Sequence, residues 1–274
     1  MTTRVGKPLS ASLRDLLLDP RVRALDVDSP EFSLAHRRVL LAKPLVQQLF
    51  REFYRRCRAL DDRLLAGEGL RVEIGSGSGF MCENYPDVIT SDVKPLPFVQ
   101  LVFRGEEMPF RDSSLRALYA INTFHHLQSP RAFFEELNRV LVPGGGAILI
   151  EPYYGPFARW LFPRLHASEG FDMDASTWES SAVAGPFSDA NQALSYIVFK
   201  RDRALFEAEF PGLAIVHERP HTHLQYLLSG GVNFRQLVPS FLGGALVAAE
   251  RLLAPIDRWL ALQHTIVLRR NPNP

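Results

Sequence analysis

Cysteine is almost absent. The chain has two, Cys57 and Cys82, too few for a disulfide framework, which suits a reducing compartment. An excess of either charge is missing too. The formal net charge of +1 implies no polyelectrolyte partner for the surface as a whole. The first twenty residues lack the apolar core of a signal peptide. No apolar run reaches membrane-spanning length without charge. The nearest, 237–262, is broken by Glu250, Arg251, Asp257 and Arg258. Internal repeats and low-complexity tracts are absent as well. These absences leave a cytoplasmic, water-soluble protein as the expectation, able at most to make peripheral contact with a membrane.

What is present is 274 residues, 46% of them hydrophobic. That suffices for one large domain, or for one domain with an inserted lobe. Residues 1–66 form a helical extension, with Leu40, Leu41, Leu45, Leu49, Phe50 and Phe53 at helical spacing inside a helix-forming stretch over 32–65. Arg37, Arg38, Arg51, Arg55, Arg56, Arg58 and Arg63 make it basic. A solvated face accounts for them, and contact with acidic lipid or nucleic acid is the sharper alternative.

From Leu70 the pattern changes to short apolar runs separated by helices. RVEIG, DVITSD, FVQLVF, LRALYAIN and AILIEP read as five strands, with a helix from Ser129 to Leu141 ended by PGGG. A helix near 202–209 and the strands LAIVHER and HTIVLRR complete the alternation. The expectation is a seven-stranded, mostly parallel α/β sheet of Rossmann-like type with helices on both faces. The divisions are a first core part over 67–152, a cap at 153–200 rich in aromatics and prolines, and the rest of the core over 201–274. A helical insertion falls near 224–262.

Ligands of an open parallel sheet bind outside the carboxyl ends of its strands. GSGSGF stands there, after the first strand, and glycines let the backbone come close to a ligand. The dinucleotide fingerprint G-x-G-x-x-G/A fails when counted from Gly75, because the last position is Phe80. Glu73 sharpens the choice. A carboxylate there would repel a pyrophosphate and suit a ligand with a cationic amino group.

Glu73-x-Gly75-x-Gly77-x-Gly79 resembles the first motif of class I S-adenosylmethionine-dependent methyltransferases, with the type-11 subgroup nearest. EEMPFRDSSL, INTFHHL and RVLVPGGGAILIEP resemble later segments of that family, in order, so the match runs from about Leu70 to Pro152. The resemblance implies S-adenosyl-L-methionine as cofactor. Glu73 would hold its amino group, and Gly75, Ser76, Gly77 and Gly79 would line its methionyl arm. Asp92 would bind the ribose, Val93 would pack on the adenine, Gly105 and Glu106 would meet the adenine edge, and Asn122 would sit near the sulfonium.

Two positions depart from the family. Arg104 stands where an adenine-binding aspartate is usual, and arginine cannot accept a hydrogen bond. The lost bond would weaken binding by about 1–3 kcal/mol, unless Glu106 substitutes. Leu115-Arg116 replaces the favoured Phe-Asp, a change expected to be structural.

His126, Glu151 and His166 are the candidate catalytic groups, each with a structural role as the competing explanation. His221 and His223 alternate, but no ligand-spaced cysteine or acid accompanies them, so no metal is expected. Aromatic residues of the cap, among them Tyr153, Trp160, Phe162 and Trp178, point to a small apolar, aromatic or lipid-like acceptor. Methylation of nucleic acid or protein is the alternative. A degenerate fold kept for binding or scaffolding is a third, motivated by Arg104.

Overall fold

Two prolines decide how the described chain begins. In the computed structural model, which describes residues 16–23, 25–165, 169–180 and 190–272, Pro30 opens helix α1 (Pro30–Ala42) at its first turn, and Ser29 caps it by accepting from the Phe32 amide at 3.2 Å. Pro44 then forbids helical geometry at Lys43, whose φ of −116° and ψ of 99° are extended. The helix-forming stretch over 32–65 is therefore two helices, α1 and α2 (Pro44–Leu64).

The strands are β1 (Leu70–Ile74), β2 (Val88–Asp92), β3 (Leu101–Val102), β4 (Leu115–Ile121), β5 (Leu141–Pro152), β6 (Leu213–His221) and β7 (Gln263–Arg270). They form one sheet in the order β3-β2-β1-β4-β5-β7-β6. β1 to β5 run parallel, and β7 runs antiparallel to both β5 and β6. This is the expected seven-stranded, Rossmann-like architecture. Two strands differ in extent. The third keeps only Leu101–Val102 of FVQLVF, and the fifth starts at Leu141, directly after helix α3 (Pro130–Val140). Gly144, at φ +81°, turns the PGGG run inside that strand.

Side-chain alternation divides the core in two. Leu118, Ala120, Ala147, Leu149, Ile266 and Leu268 face α3 and a mass of phenylalanine that includes Phe133, Phe134, Phe199 and Phe206. Ala117, Tyr119, Ile121, Ile148, Ile150 and Val267 face α2 through Leu49, Phe53 and Leu60. Helix α4 (Pro156–Leu165) lies at the start of the 153–200 segment. The end of the 153–200 segment differs in character: Ile197, Val198 and Phe199 are fully buried in the α3-side core, before helix α5 (Arg203–Glu209). Helices α6 (Leu224–Ser229) and α7 (Gly243–Leu253) form the late excursion. Among the described residues no helix is long and apolar enough to cross a membrane.

Asp61 pins α2 to the sheet. Its fully buried carboxylate accepts from Arg71 and Arg116, each at 2.8 Å, and from Tyr119 Oη at 2.7 Å. Arg116 also donates to the Gly67 and Leu65 carbonyls. The family's usual acid at 116 is thus replaced by a base whose acid sits on α2. Replacing Asp61 by alanine strands two partly buried guanidiniums and a phenol, so urea unfolding should show a loss of about 3–5 kcal/mol.

Candidate active site

The mouth of the site lies at the carboxyl ends of β1, β2 and β4. Gly75 and Gly77 have φ of +59° and +48°, a conformation glycine adopts without steric cost. The loop is closed from below by Ser76 N donating to Ser91 O at 2.8 Å and Ser91 Oγ donating to Glu73 O at 2.9 Å. From above it is held by the N-terminal helices. Arg37 of α1 donates to the carbonyls of Ser78 and Gly79 at 3.1 and 2.6 Å and pairs with Glu83. Tyr54 of α2 accepts from Phe80 N at 2.9 Å. A Cβ on Gly79 would lie 2.7 Å from that phenol oxygen and 2.8 Å from Ser76 O, so only glycine fits.

Asp92 ends β2 with both carboxylate oxygens on backbone, Oδ2 accepting from Gly77 N and Oδ1 from Lys94 N, each at 2.9 Å. Glu73 is the opposite case. It is 2% exposed, and its Oε2 has no hydrogen-bond partner. Burial pushes its pKa up to about 7, the neighbouring Asp92 adds to the rise, and a hydrogen bond with Ser76 opposes it. Asn122, just past β4, adopts φ +50° and also leaves its buried Oδ1 unpartnered. A cationic amino group would suit such orphaned acceptors, of which Asn122 lines the cavity and Glu73 does not. S-adenosylmethionine has that group and a ribose for Asp92, so the residues present fit it.

Glu151 does not face an acceptor. It is fully buried, accepts from the amides of Thr123 and Phe124 at 2.9 and 2.8 Å, and receives His125 Nδ1 at 2.5 Å. Its work is to shape the loop after β4. Burial alone would depress the pKa of His125, but Glu151 and Glu169 outweigh it and hold the imidazole up at about 10. His126 lines the cavity beside it, the two rings 4.2 Å apart. His166 lies outside the described residues. Arg104 reaches away to Gln128 Oε1 at 2.6 Å, and Glu106 Oε1 accepts from Gln128 N at 2.8 Å. Both still line the mouth, as do Val93 and Gly105. His221 bonds the hydroxyls of Thr222 and Thr265, and His223 lies against Glu250 and Asp257. The two alternate in sequence but serve separate packing contacts.

A cavity of about 420 Å³ opens from the glycine loop. Its far wall comes from the N-terminal segment (Leu18, Val22, Leu25, Phe32), from α2 (Leu49, Phe50, Phe53), from α4 (Phe162, Leu165) and from the 230–234 turn. Lys43, freed from the helix by Pro44, ties that turn down through the carbonyls of Gly231 and Phe234 and pairs with Asp19 at 3.4 Å. His36 faces the cavity with Nε2 on Asn233 Oδ1 at 2.8 Å. Burial lowers its pKa to about 4, so it is neutral. Arg37, His36, Tyr54 and Gln192 were not expected at the site. Only tertiary packing brings them there.

The unpartnered Glu73 sets a pH dependence. Its pKa rises from 4.5 in the open chain to about 7 in the fold. The penalty for ionising it is therefore absent below pH 4.5 and complete above pH 7. Glu73→Gln should raise the stability of the ligand-free protein above pH 7 by about 3 kcal/mol, with the gain vanishing as pH falls to about 4.5. Urea midpoints across that range measure it.

Residues 72–149 match the model of a family described as a methyltransferase domain. Among solved structures, an S-adenosylmethionine-dependent methyltransferase from Thermotoga maritima aligns with a TM-score of 0.51 and 13% identity, covering 87% of this chain and 95% of that one. A geranyl diphosphate C-methyltransferase from Streptomyces coelicolor A3(2) aligns with a TM-score of 0.44 and 15% identity over 93% and 89%. No curated protein sequence matches this one. Residues 72–149, with their glycine loop, thus form a methyltransferase domain, set in a sheet whose strand order is Rossmann-like and beside a mouth whose residues fit S-adenosylmethionine.

Proposed function

We propose that the methyl acceptor is a small apolar molecule held in the chamber opposite the glycine loop. The observation that carries this is the apolar lining: leucine, valine and phenylalanine side chains from four separate segments converge on one cavity. Such a wall favours apolar surface at about 25 cal/mol per Å² and offers a nucleic-acid backbone nothing. Two arginines of the N-terminal helices are engaged within the fold. Arg37 is bound to the glycine loop, and Arg58 to Asp87 and the face of Tyr85.

When bound, S-adenosylmethionine supplies an electrophilic methyl group on a sulfonium. The protein's part is to position and to exclude. Glu73 would pair with the amino group, Asp92 would accept from the ribose hydroxyls, and Asn122 would add its free acceptor near the reacting end. The apolar wall keeps water from competing as nucleophile, and holding acceptor and methyl group in line lowers the barrier. His36, neutral and facing the chamber, would orient a polar group of the acceptor. Phe241 and Leu252, 83% and 81% exposed on the late excursion, offer a surface through which a lipid-like acceptor would arrive.

Two measurements test this. Glu73→Gln should weaken S-adenosylmethionine binding by at least about tenfold in calorimetry at pH 8, through loss of a charge-assisted contact of about 1.5–3 kcal/mol. With methyl-labelled cofactor and cell extract, the label should pass into the organic phase. Label retained in acid-precipitable polymer would reject a small apolar acceptor.

A further inference from the structure

Four donor side chains meet at one part of the chamber. His125, His126 and Glu169 place a ligand atom each within 4.8 Å of one another. Gln192 lines the same cavity. It is 3% exposed, it donates through Nε2 to Glu169, and its Oε1 has no hydrogen-bond partner. Behind them stands Glu151, fixed by backbone amides and bound to His125 Nδ1. That contact leaves His125 Nε2 directed at Glu169, 3.7 Å away. A carboxylate behind an imidazole is the arrangement that orients a histidine toward a metal ion.

Backbone bonds hold the two walls together. Asn191 N donates to His125 O at 3.2 Å, Gly170 N to Ala190 O at 2.9 Å, and Gln192 N to Gly170 O at 2.8 Å. Glu169 and Gln192 are thus presented to the histidine pair by paired backbone.

We propose that His125, His126 and Glu169, with Gln192 Oε1, bind a divalent first-row transition ion, and that the acceptor carries an oxygen donor which completes its shell. Two imidazoles with one carboxylate suit Zn²⁺ better than Mg²⁺ or Ca²⁺, which prefer oxygen alone. Bonds of about 2.0–2.2 Å require the donors to draw in by about 1 Å. The ion would bind the deprotonated imidazole nitrogens, so its binding releases protons. The acceptor clause rests on the methyl-transfer function proposed above, whereas ion binding does not.

The test is calorimetric titration of Zn²⁺ into the full chain stripped with chelator, without S-adenosylmethionine and with Mg²⁺ as the comparison. One Zn²⁺ per chain should bind, with an X-ray absorption shell of nitrogen and oxygen and no sulfur, which excludes Cys57 and Cys82 as ligands. His126→Ala and Glu169→Gln should each weaken binding at least about tenfold, with circular dichroism confirming that both fold. Failure of folded wild type to bind Zn²⁺, a shell containing sulfur, preference for Mg²⁺, or affinity unchanged in both variants would overturn the site. Failure of S-adenosylmethionine to bind in a separate titration would remove the acceptor clause and leave the ion site standing.

Discussion

A carboxylate sealed from water with one oxygen unpartnered is among the costlier things a fold can hold, and one stands beside the mouth of this protein. Glu73 sits on β1 between Thr90 of β2 and Tyr119 of β4, under the α2 side of the sheet. Nothing in the described protein neutralises it. Ser76 helps a little, and Asp92 makes matters worse. The fold tolerates the strain because α2 and the sheet over-determine the position. On the function proposed above, a cation bound at the glycine loop would relieve it, turning a liability of the empty protein into selectivity for what binds.

The N-terminal helices belong to this arrangement. Proline at 44 breaks what would be one rod, so α1 and α2 approach the glycine loop from different directions. Arg37 comes from one and Tyr54 from the other. The same break turns Lys43 into the cation that fastens the 230–234 turn. One backbone restriction therefore sets the loop, the roof and the width of the chamber between them.

The sheet was legible because strand and helix periods differ, and because Glu73, the three glycines and Asp92 are close in sequence. The break at Lys43 was missed, because the apolar spacing runs unbroken across Pro44 and reads as one helix. β3 is short because Pro95 and Pro97 precede it and a turn at Pro97–Phe98, closed by Val99 N on Leu96 O, takes up its expected start, leaving Gln100 N on Thr90 O as the first contact with β2. Arg116 could be sensed as structural, yet its partner Asp61 is a neighbour only after α2 docks. Glu151 shows the reverse limit. Its place at a strand end suggested a reacting group, while three amides of the following loop claim it. Glu169 and Gln192 reach the site through backbone pairing between irregular segments, for which no local pattern exists.

The position of β7 has a consequence for how the molecule is made. It is the last of the seven strands to leave the ribosome, and it lies between β5 and β6. Until it emerges, the inner edge of β5 is an open row of donors and acceptors, and β6 has no neighbour. Between the synthesis of β5 and that of β7 the nascent polypeptide must keep that seam from pairing with another chain, so this interval is one of exposure to aggregation.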